Sequence, residues 1–525
     1  MNNVPSARSH IPSANQTLRN VTFIWGNRLL LALVPLVITP LLVNHFGLAV
    51  IGVWLLTTQL AAQLSLLDSG IVTSLTRLLA RANVVDSGTH SERIISTAFW
   101  MLVAMGSLLI LCSPLIANFF VATFSIPKEA VQDGWWLVML TVVFVGISLP
   151  LRCGYGLLGS KHRFDIVQVY DTIPIFLRLV LVVLFVFLGH LTLFGLGLIV
   201  YLTNLLGLFF IFRAGLKISY GLKALSVKEI SITFIRPILT LSTTASIISL
   251  SSVLLLQGSP MFIGHHLDAR SVALLTIPLF IFMSITPFFA TFAAIISPIA
   301  ASTTKGAEFA RLGSFYTTTN AYLCSAAFAA FLINYVLGDM LLQMWLPSST
   351  VTENDTSEMS KILSILLVSF ALSVSTSMAR SILCSIGWHW RAAIIDLITS
   401  LFGMAVGIML VLQFDMGVIG STFGIASAFI LRGFLTFPLL ADTLRVSLGR
   451  QITTCILRPM VIASITILAG EGIHRLVQTD GSIEPLTIFA IWALPALAWL
   501  YLTWRYAVIA GHRNKVRSIL HRAFK

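Results

Sequence analysis

The sequence predicts an all-α polytopic membrane protein with about 14 transmembrane helices, arranged as two six-helix lobes followed by two C-terminal helices. Three observations predict it. Hydrophobic residues make up 57% of the 525 positions and charged residues only 10%. Apolar runs of about 20 residues, the length a helix needs to cross a bilayer core, recur along the whole chain. Basic residues collect on alternate links between those runs, as they do when every second link faces the cytoplasm. A soluble domain is excluded, because so much apolar surface exceeds what one core can hide.

The first two apolar segments, Val21 to Asn44 and Leu48 to Asp68, are separated only by His45-Phe46-Gly47, so they read as a hairpin of spanning helices. Further helices are expected at about 94–120, 134–156, 167–189, 193–213, 237–258 and 271–298. The series continues at about 314–337, 360–386, 392–413, 417–440, 456–475 and 486–508. The link after the hairpin holds Arg77, Arg81 and Arg93, which places it inside. Alternating from there puts 24 Lys and Arg residues on inner links or tails and four, Lys128, Arg270, Lys361 and Arg475, outside. One missed helix would invert every later link, so this asymmetry supports the register. Acidic residues lean outward, and the net charge of +13 is therefore a topology signal and not a nucleic-acid surface. The basic end from Arg513 to Lys525 suits anionic inner-leaflet lipids. Both termini are expected to be cytoplasmic.

Several functions lack the residues they would need. The polar start with Arg8 and Arg19 precedes an apolar segment too long for a cleavable leader, and it is expected to form a poorly ordered tail. The five cysteines lie in or beside apolar segments with no ligand-like spacing, so no metal site or disulfide framework is indicated. Gly154, Gly159 and Ser160-Lys161 do not form a phosphate loop, since the Lys-Ser order is reversed and no strand precedes it. The longest outer link, about 338–359, is too short for a folded external domain. No catalytic residue, cofactor or enzymatic activity is therefore assigned.

The pattern Arg152-x6-Gly159-x3-Arg163 returns as Arg380-x6-Gly387-x3-Arg391, each followed by a helix with an early aspartate, Asp171 and Asp396. A recurrence six helices apart on the same side implies two lobes related by an axis along the membrane normal. The expected division is a tail 1–20, an N-lobe 21–213, a cytoplasmic linker 214–236, a C-lobe 237–440, accessory helices 441–508 and a basic tail 509–525.

Ionisable residues within spans cost several kcal/mol unless they meet partners or water, so each is a functional candidate. The retained groups are Arg28, Arg178, Arg380 and Arg432 with Asp68, Asp171 and Asp396. Together they predict an inward-facing vestibule with a mild positive bias. Helix-end ion pairs offer an equally good reading of the aspartates, and interhelical Arg-Asp pairs of the arginines. Two hydroxyl stripes at helical spacing, Ser242, Ser246, Ser249 and Ser252, then Ser369, Ser373 and Thr376, suit either a sugar-lined cavity or close helix packing.

The run Pro40-Leu-Leu-Val-Asn-His-Phe-Gly, then Ile51-Gly-Val-Trp and Leu66-Leu67-Asp68-Ser69-Gly70, resembles the opening hairpin of bacterial Wzx-type flippases for lipid-linked oligosaccharides, the O-antigen and exopolysaccharide transporters. The helix count and loop pattern extend the resemblance over most of the chain. It implies an inner-membrane flippase that moves an undecaprenyl-diphosphate-linked oligosaccharide between leaflets by alternating access. In that scheme Arg28, Arg178, Arg380 and Arg432 attract the diphosphate, and Ser242, Ser246, Ser249, Ser369 and Ser373 line the sugar path. Asp68, Asp171 and Asp396 serve as counter-charges or coupling-ion sites. The resemblance leaves proton or sodium coupling open, and likewise association with a polymerase and a chain-length regulator. A lipid II flippase is a near alternative. A multidrug-type cation exporter would call for carboxylates rather than intramembrane arginines, and a membrane polymerase for a large outer loop.

Overall fold

The computed structural model describes residues 14–85, 89–161, 163–218, 221–302, 306–444 and 446–477, with side chains from Leu33 to Gly470 apart from short stretches, chiefly 83–89 and most of 291–311. Among these residues every regular element is helical. Hydrocarbon offers no hydrogen-bond partners, and a helix satisfies its backbone groups within its own segment.

Helix α1 (Ala14–Leu64) crosses twice, because Gly47 adopts φ 74° and reverses the chain at the expected hairpin. An L-side chain rarely adopts that conformation. The helix begins at Ala14, so residues 14–20, expected as tail, are already helical; none of them is Gly or Pro. Helix α2 (Leu66–Val85) extends the second crossing, and α3 (Thr89–Thr123) returns. The fourth crossing bends at Arg152, just after Pro150, between α4 (Val131–Leu151) and α5 (Cys153–Ser160). Helices α6 (Phe164–Phe187) and α7 (Leu193–Ile218) complete the first group.

The second group opens with a crossing broken at Gln257 between α8 (Ile232–Leu256) and α9 (Gly258–His266). Helices α10 (Ala269–Ser302) and α11 (Gly306–Trp345) follow. The next crossing breaks at Val374 between α12 (Glu353–Ser373) and α13 (Ser375–Ser385). Helices α14 (His389–Phe414) and α15 (Gly417–Leu444) close the group. A thirteenth crossing runs from α16 (Leu448–Gln451) through a π-helical turn, Ile452–Leu457, into α17 (Arg458–Val477). Among the described residues twelve helical runs are long and apolar enough to span a membrane, and the first of them, Leu33–Ala82, contains the hairpin. The helix expected at 486–508 lies outside the described residues.

Links expected on one membrane face do meet one another. On the face of the Gly47 hairpin, the hairpin side, His45 Nε2 bonds the Leu191 carbonyl at 2.8 Å and the Ser125 amide donates to Gly264 O at 3.4 Å. On the opposite, basic side, the link between the groups is shorter than expected, since α7 runs to Ile218 and α8 starts at Ile232. It docks on α3, where Ser96 Oγ and Trp100 Nε1 donate to the carbonyls of Ser226 and Leu225 at 2.7 and 3.0 Å.

Within the first group α3 packs on α4 and α6 on α7; within the second, α11 on α12 and α14 on α15. The groups meet along two seams, α1 against α10 and α2 against α8. At the second seam a Cβ on Gly70 would stand 2.3 Å from Ser246 Oγ and 2.4 Å from Ser242 Cβ, so only a glycine permits this approach. Small residues drive helix association in lipid, where no hydrophobic gain is on offer. Gly70→Leu is therefore expected to cost about 1–3 kcal/mol through overpacking. Thermal unfolding of the detergent-solubilised protein reads this out, and an unchanged melting temperature would show that α2 and α8 do not close on each other.

Candidate functional site

Three neighbouring helices of the second group bring opposite charges together. Arg380 lies in α13 just beyond the break at Val374, Asp396 lies two turns into α14, and Arg432 lies midway along α15. Asp396 Oδ2 accepts from Arg380 Nη1 at 3.1 Å, and Oδ1 pairs with Arg432 Nε at 3.0 Å. Arg432 also reaches the Thr399 and Ser400 hydroxyls at 3.3 and 3.2 Å, and its guanidinium stands 5.8 Å from the Phe429 ring. The carboxylate is only 4% exposed and the Arg432 side chain 12%, whereas the Arg380 side chain is 40% exposed. Two cations thus share one buried anion, leaving one formal positive charge without a counter-ion among the described residues.

All three line a cavity of about 330 Å³. Ser252, Ser373, Thr376 and Ser377 present hydroxyls to it, and Phe282, Phe289 and Phe370 form an aromatic wall. The four hydroxyls spend their protons on their own helix: Ser252 on Ile248 O, Ser373 on Ser369 O, Thr376 on Ser373 O and Ser377 on Val374 O. Each keeps lone pairs that can accept from a ligand hydroxyl.

The first group holds a second cavity, of about 510 Å³. Arg152, at the kink of the fourth crossing, donates to Asp68 Oδ1 at 2.9 Å and to Ser65 Oγ at 3.1 Å. Asp171 Oδ1 accepts from Tyr155 OH at 2.7 Å, and among the described residues no cation lies within ion-pair distance of it. Tyr201, Phe144, Ser148 and Asn204 also line it. With two aspartates to one arginine, this cavity leans anionic. The described charges expected to share one vestibule instead divide among three cavities, of which the 330 Å³ one leans cationic.

Arg178 joins neither carboxylate set. Its Nη2 donates to Asn204 Oδ1, and it lines a third cavity on the hairpin-side half, between the groups. The side chain of Arg28 lies outside those described. Ser242 and Ser246 abut Gly70, and Ser249 continues their face, half-buried; close packing therefore accounts for the first two. Ser369 is 1% exposed and donates to Leu366 O at 2.9 Å. The stripes reach the 330 Å³ cavity only at Ser252, Ser373 and Thr376.

The sequence reading missed Tyr155, Tyr201 and Asn204. Asn204 carried a usable signal, as a lone amide within an apolar run. Tyr155 carried a weaker one, standing one turn after Arg152. Nothing in sequence marked Tyr201 apart from other interface tyrosines.

Neither a family model nor a curated protein matches the chain. Solved structures do. One is described as the inward-facing conformation of a multidrug resistance MATE family transporter of the MOP superfamily, with a TM-score of 0.68 at 14% identity, covering 80% of this chain and 96% of that one. Another is the lipid II flippase MurJ in an inward closed conformation, with a TM-score of 0.68 at 15% identity, covering 93% and 98%. A MOP superfamily transporter from Pyrococcus furiosus, described as having a binding pocket of reverse polarity, gives 0.55 at 14% identity over 82% and 93%. At such identities the likeness is one of fold: this chain has the two-group helical fold shared by MATE transporters and the MurJ flippase.

Proposed function

We propose that the protein is a flippase for an anionic lipid-linked saccharide, of the undecaprenyl-diphosphate oligosaccharide class, serving assembly of surface polysaccharide from an inner membrane. The observation that carries the reading is the Arg380-Asp396-Arg432 cluster on the wall of the 330 Å³ cavity. A diphosphate cannot cross hydrocarbon unaided, since desolvating an ion costs tens of kcal/mol in the Born limit. Two guanidiniums in a partly dry cavity replace that hydration, and Arg380, the more exposed of them, is the one an incoming phosphate meets first. Asp396 acts as a resident competitor. It holds both guanidiniums in place while the site is empty and returns to them as the cargo leaves, which keeps binding reversible.

The hydroxyls and aromatic rings beside the cluster suit saccharide hydroxyls and sugar faces. The lipid tail would remain in the bilayer while the head passes between the groups as they rock. With the basic side cytoplasmic, as the Lys and Arg distribution indicates, outward movement of an anion gains roughly 2.3 kcal/mol per charge per 100 mV. The fold shared with a lipid II flippase supports a lipid-linked cargo. Coupling to protons or sodium, and association with a polymerase or chain-length regulator, would be additions to this scheme.

The anionic 510 Å³ cavity, where among the described residues Asp171 has no cation within ion-pair distance, favours a second reading, export of an organic cation. One reconstitution separates the two. In proteoliposomes the protein is expected to accelerate flipping of an undecaprenyl-diphosphate saccharide and leave a lipophilic cationic dye unmoved; the reverse result would select the exporter. Removing a charged hydrogen bond costs about 1.5–3 kcal/mol, so Arg432→Gln should weaken saccharide-lipid binding roughly tenfold or more. Because that change leaves Asp396 to Arg380 alone and neutralises the site, the Arg432→Gln, Asp396→Asn double variant, which restores one uncompensated positive charge, should regain part of the lost binding. Asp396→Asn alone is expected to bind tighter and turn over more slowly. Faster turnover in that variant would show that the carboxylate does not compete with the cargo.

A further inference from the structure

Arg178 differs from the paired arginines in what surrounds it. It stands nine positions from the hairpin-side end of α6, Phe187, whereas Asp68, Arg152 and Arg380 stand toward the basic side. The cavity it lines, about 230 Å³, draws on both groups, with Val34, Trp54 and Leu196 from the first and Ile277 and Phe280 from α10. Apart from Thr39 and Thr58 the other lining side chains are apolar. Arg178 Nη2 donates to Asn204, its Nε is buried with no acceptor, and among the described residues no carboxylate lies within ion-pair distance. A guanidinium held in that state carries an unrelieved desolvation cost.

Its cavity has a roof and a floor. Above, on the hairpin side, the groups are sealed: Trp345 Nε1 donates to Leu36 O at 2.7 Å and Ser349 Oγ to Asn44 Oδ1 at 3.3 Å. At the same level Gly52 lies directly against the Ala269 carbonyl. Below, Asn204, the partner of Arg178, and Tyr201 line the neighbouring 510 Å³ cavity. The Tyr201 ring sits 6.1 Å from Trp54, and its hydroxyl bonds Thr141 Oγ1 at 2.8 Å. Arg178 thus lines the hairpin-side cavity directly and is joined, through its hydrogen bond to Asn204, to the wall of the basic-side cavity.

We infer that Arg178 is a second anion station on the transport path, beyond the Arg380-Arg432 site, which takes the phosphate group of the cargo as the hairpin-side seal opens. This rests on the flippase reading above and adds an order of events to it. The basic-side cluster sets equilibrium capture, and Arg178 sets passage. An incoming phosphate would supply the acceptor that Nε lacks, and the donor to Asn204 would be kept or exchanged.

The test compares Arg178→Gln and Arg178→Lys in two assays, binding of undecaprenyl diphosphate to the detergent-solubilised protein and flipping of a fluorescent undecaprenyl-diphosphate saccharide in proteoliposomes. Arg178→Gln is expected to bind within about threefold of wild type while flipping falls roughly tenfold or more, the loss of one charged contact. Arg178→Lys is expected to recover most of the flipping, because a point charge suffices for a phosphate. A parallel fall of binding and flipping in Arg178→Gln would reduce the two stations to one and overturn the inference. Unchanged flipping would do the same, as would failure of lysine to rescue together with a lowered melting temperature, which would make the Asn204 bond structural. Wild-type protein that bound no undecaprenyl diphosphate would sink the flippase reading itself, and the station with it.

Discussion

An ionised group inside a bilayer has to find a counter-charge, a polar partner or a water-filled cavity, and the polar interior of this molecule is organised by that requirement. Asp396 is the clearest case, with one carboxylate oxygen given to each of two arginines from flanking helices. The same demand places Arg152 on Asp68 across a kinked crossing. Because removing one partner of a buried pair strands the other, such clusters fix how helices sit relative to one another even where they add little net stability. They also prepare the site: cations already held in place spend no further order when an anion arrives.

The second constraint is how closely helices can approach. Lipid tails are as apolar as leucine, so helix contact in the membrane depends on packing. The α2-α8 seam closes at Gly70 against two serines, and the hairpin-side seal closes at Gly52 against a carbonyl. Serines that look like a sugar path in one dimension are thereby consumed in three. Three of the hydroxyl residues that line the 330 Å³ cavity, Ser373, Thr376 and Ser377, belong to the broken crossing of α12 and α13, where the helix breaks at Val374 beside Arg380.

The division of charge follows from the same geometry. Arg152 and Arg380 occupy matching places in the two copies of the sequence motif, and each copy is followed by a helix with an early aspartate, Asp171 or Asp396. In the second group the pair joins; in the first, Arg152 turns instead to Asp68, and Asp171 is left with the Tyr155 hydroxyl. One extra aspartate on α2 and one extra arginine on α15 are enough to give the two cavities opposite sign. A fold of two related halves therefore presents two chemically distinct surfaces to a cargo, and the single Arg178 lies where neither sign dominates.

Helix type, the thirteen crossings that fall among the described residues, the Gly47 hairpin and the membrane-embedded charges were legible in the chain, because a bilayer imposes a length, a polarity and a cost per charge on each segment separately. Those are local quantities, and a linear reading captures them. Partners were not legible. Whether Arg380 meets Asp396, whether Ser242 faces a cavity or Gly70, and whether Asn204 stands beside Arg178 depend on helix rotation and on which crossings are neighbours. Only the tertiary structure decided these, since each is settled by contacts between residues tens to hundreds of positions apart, whose geometry no single segment contains.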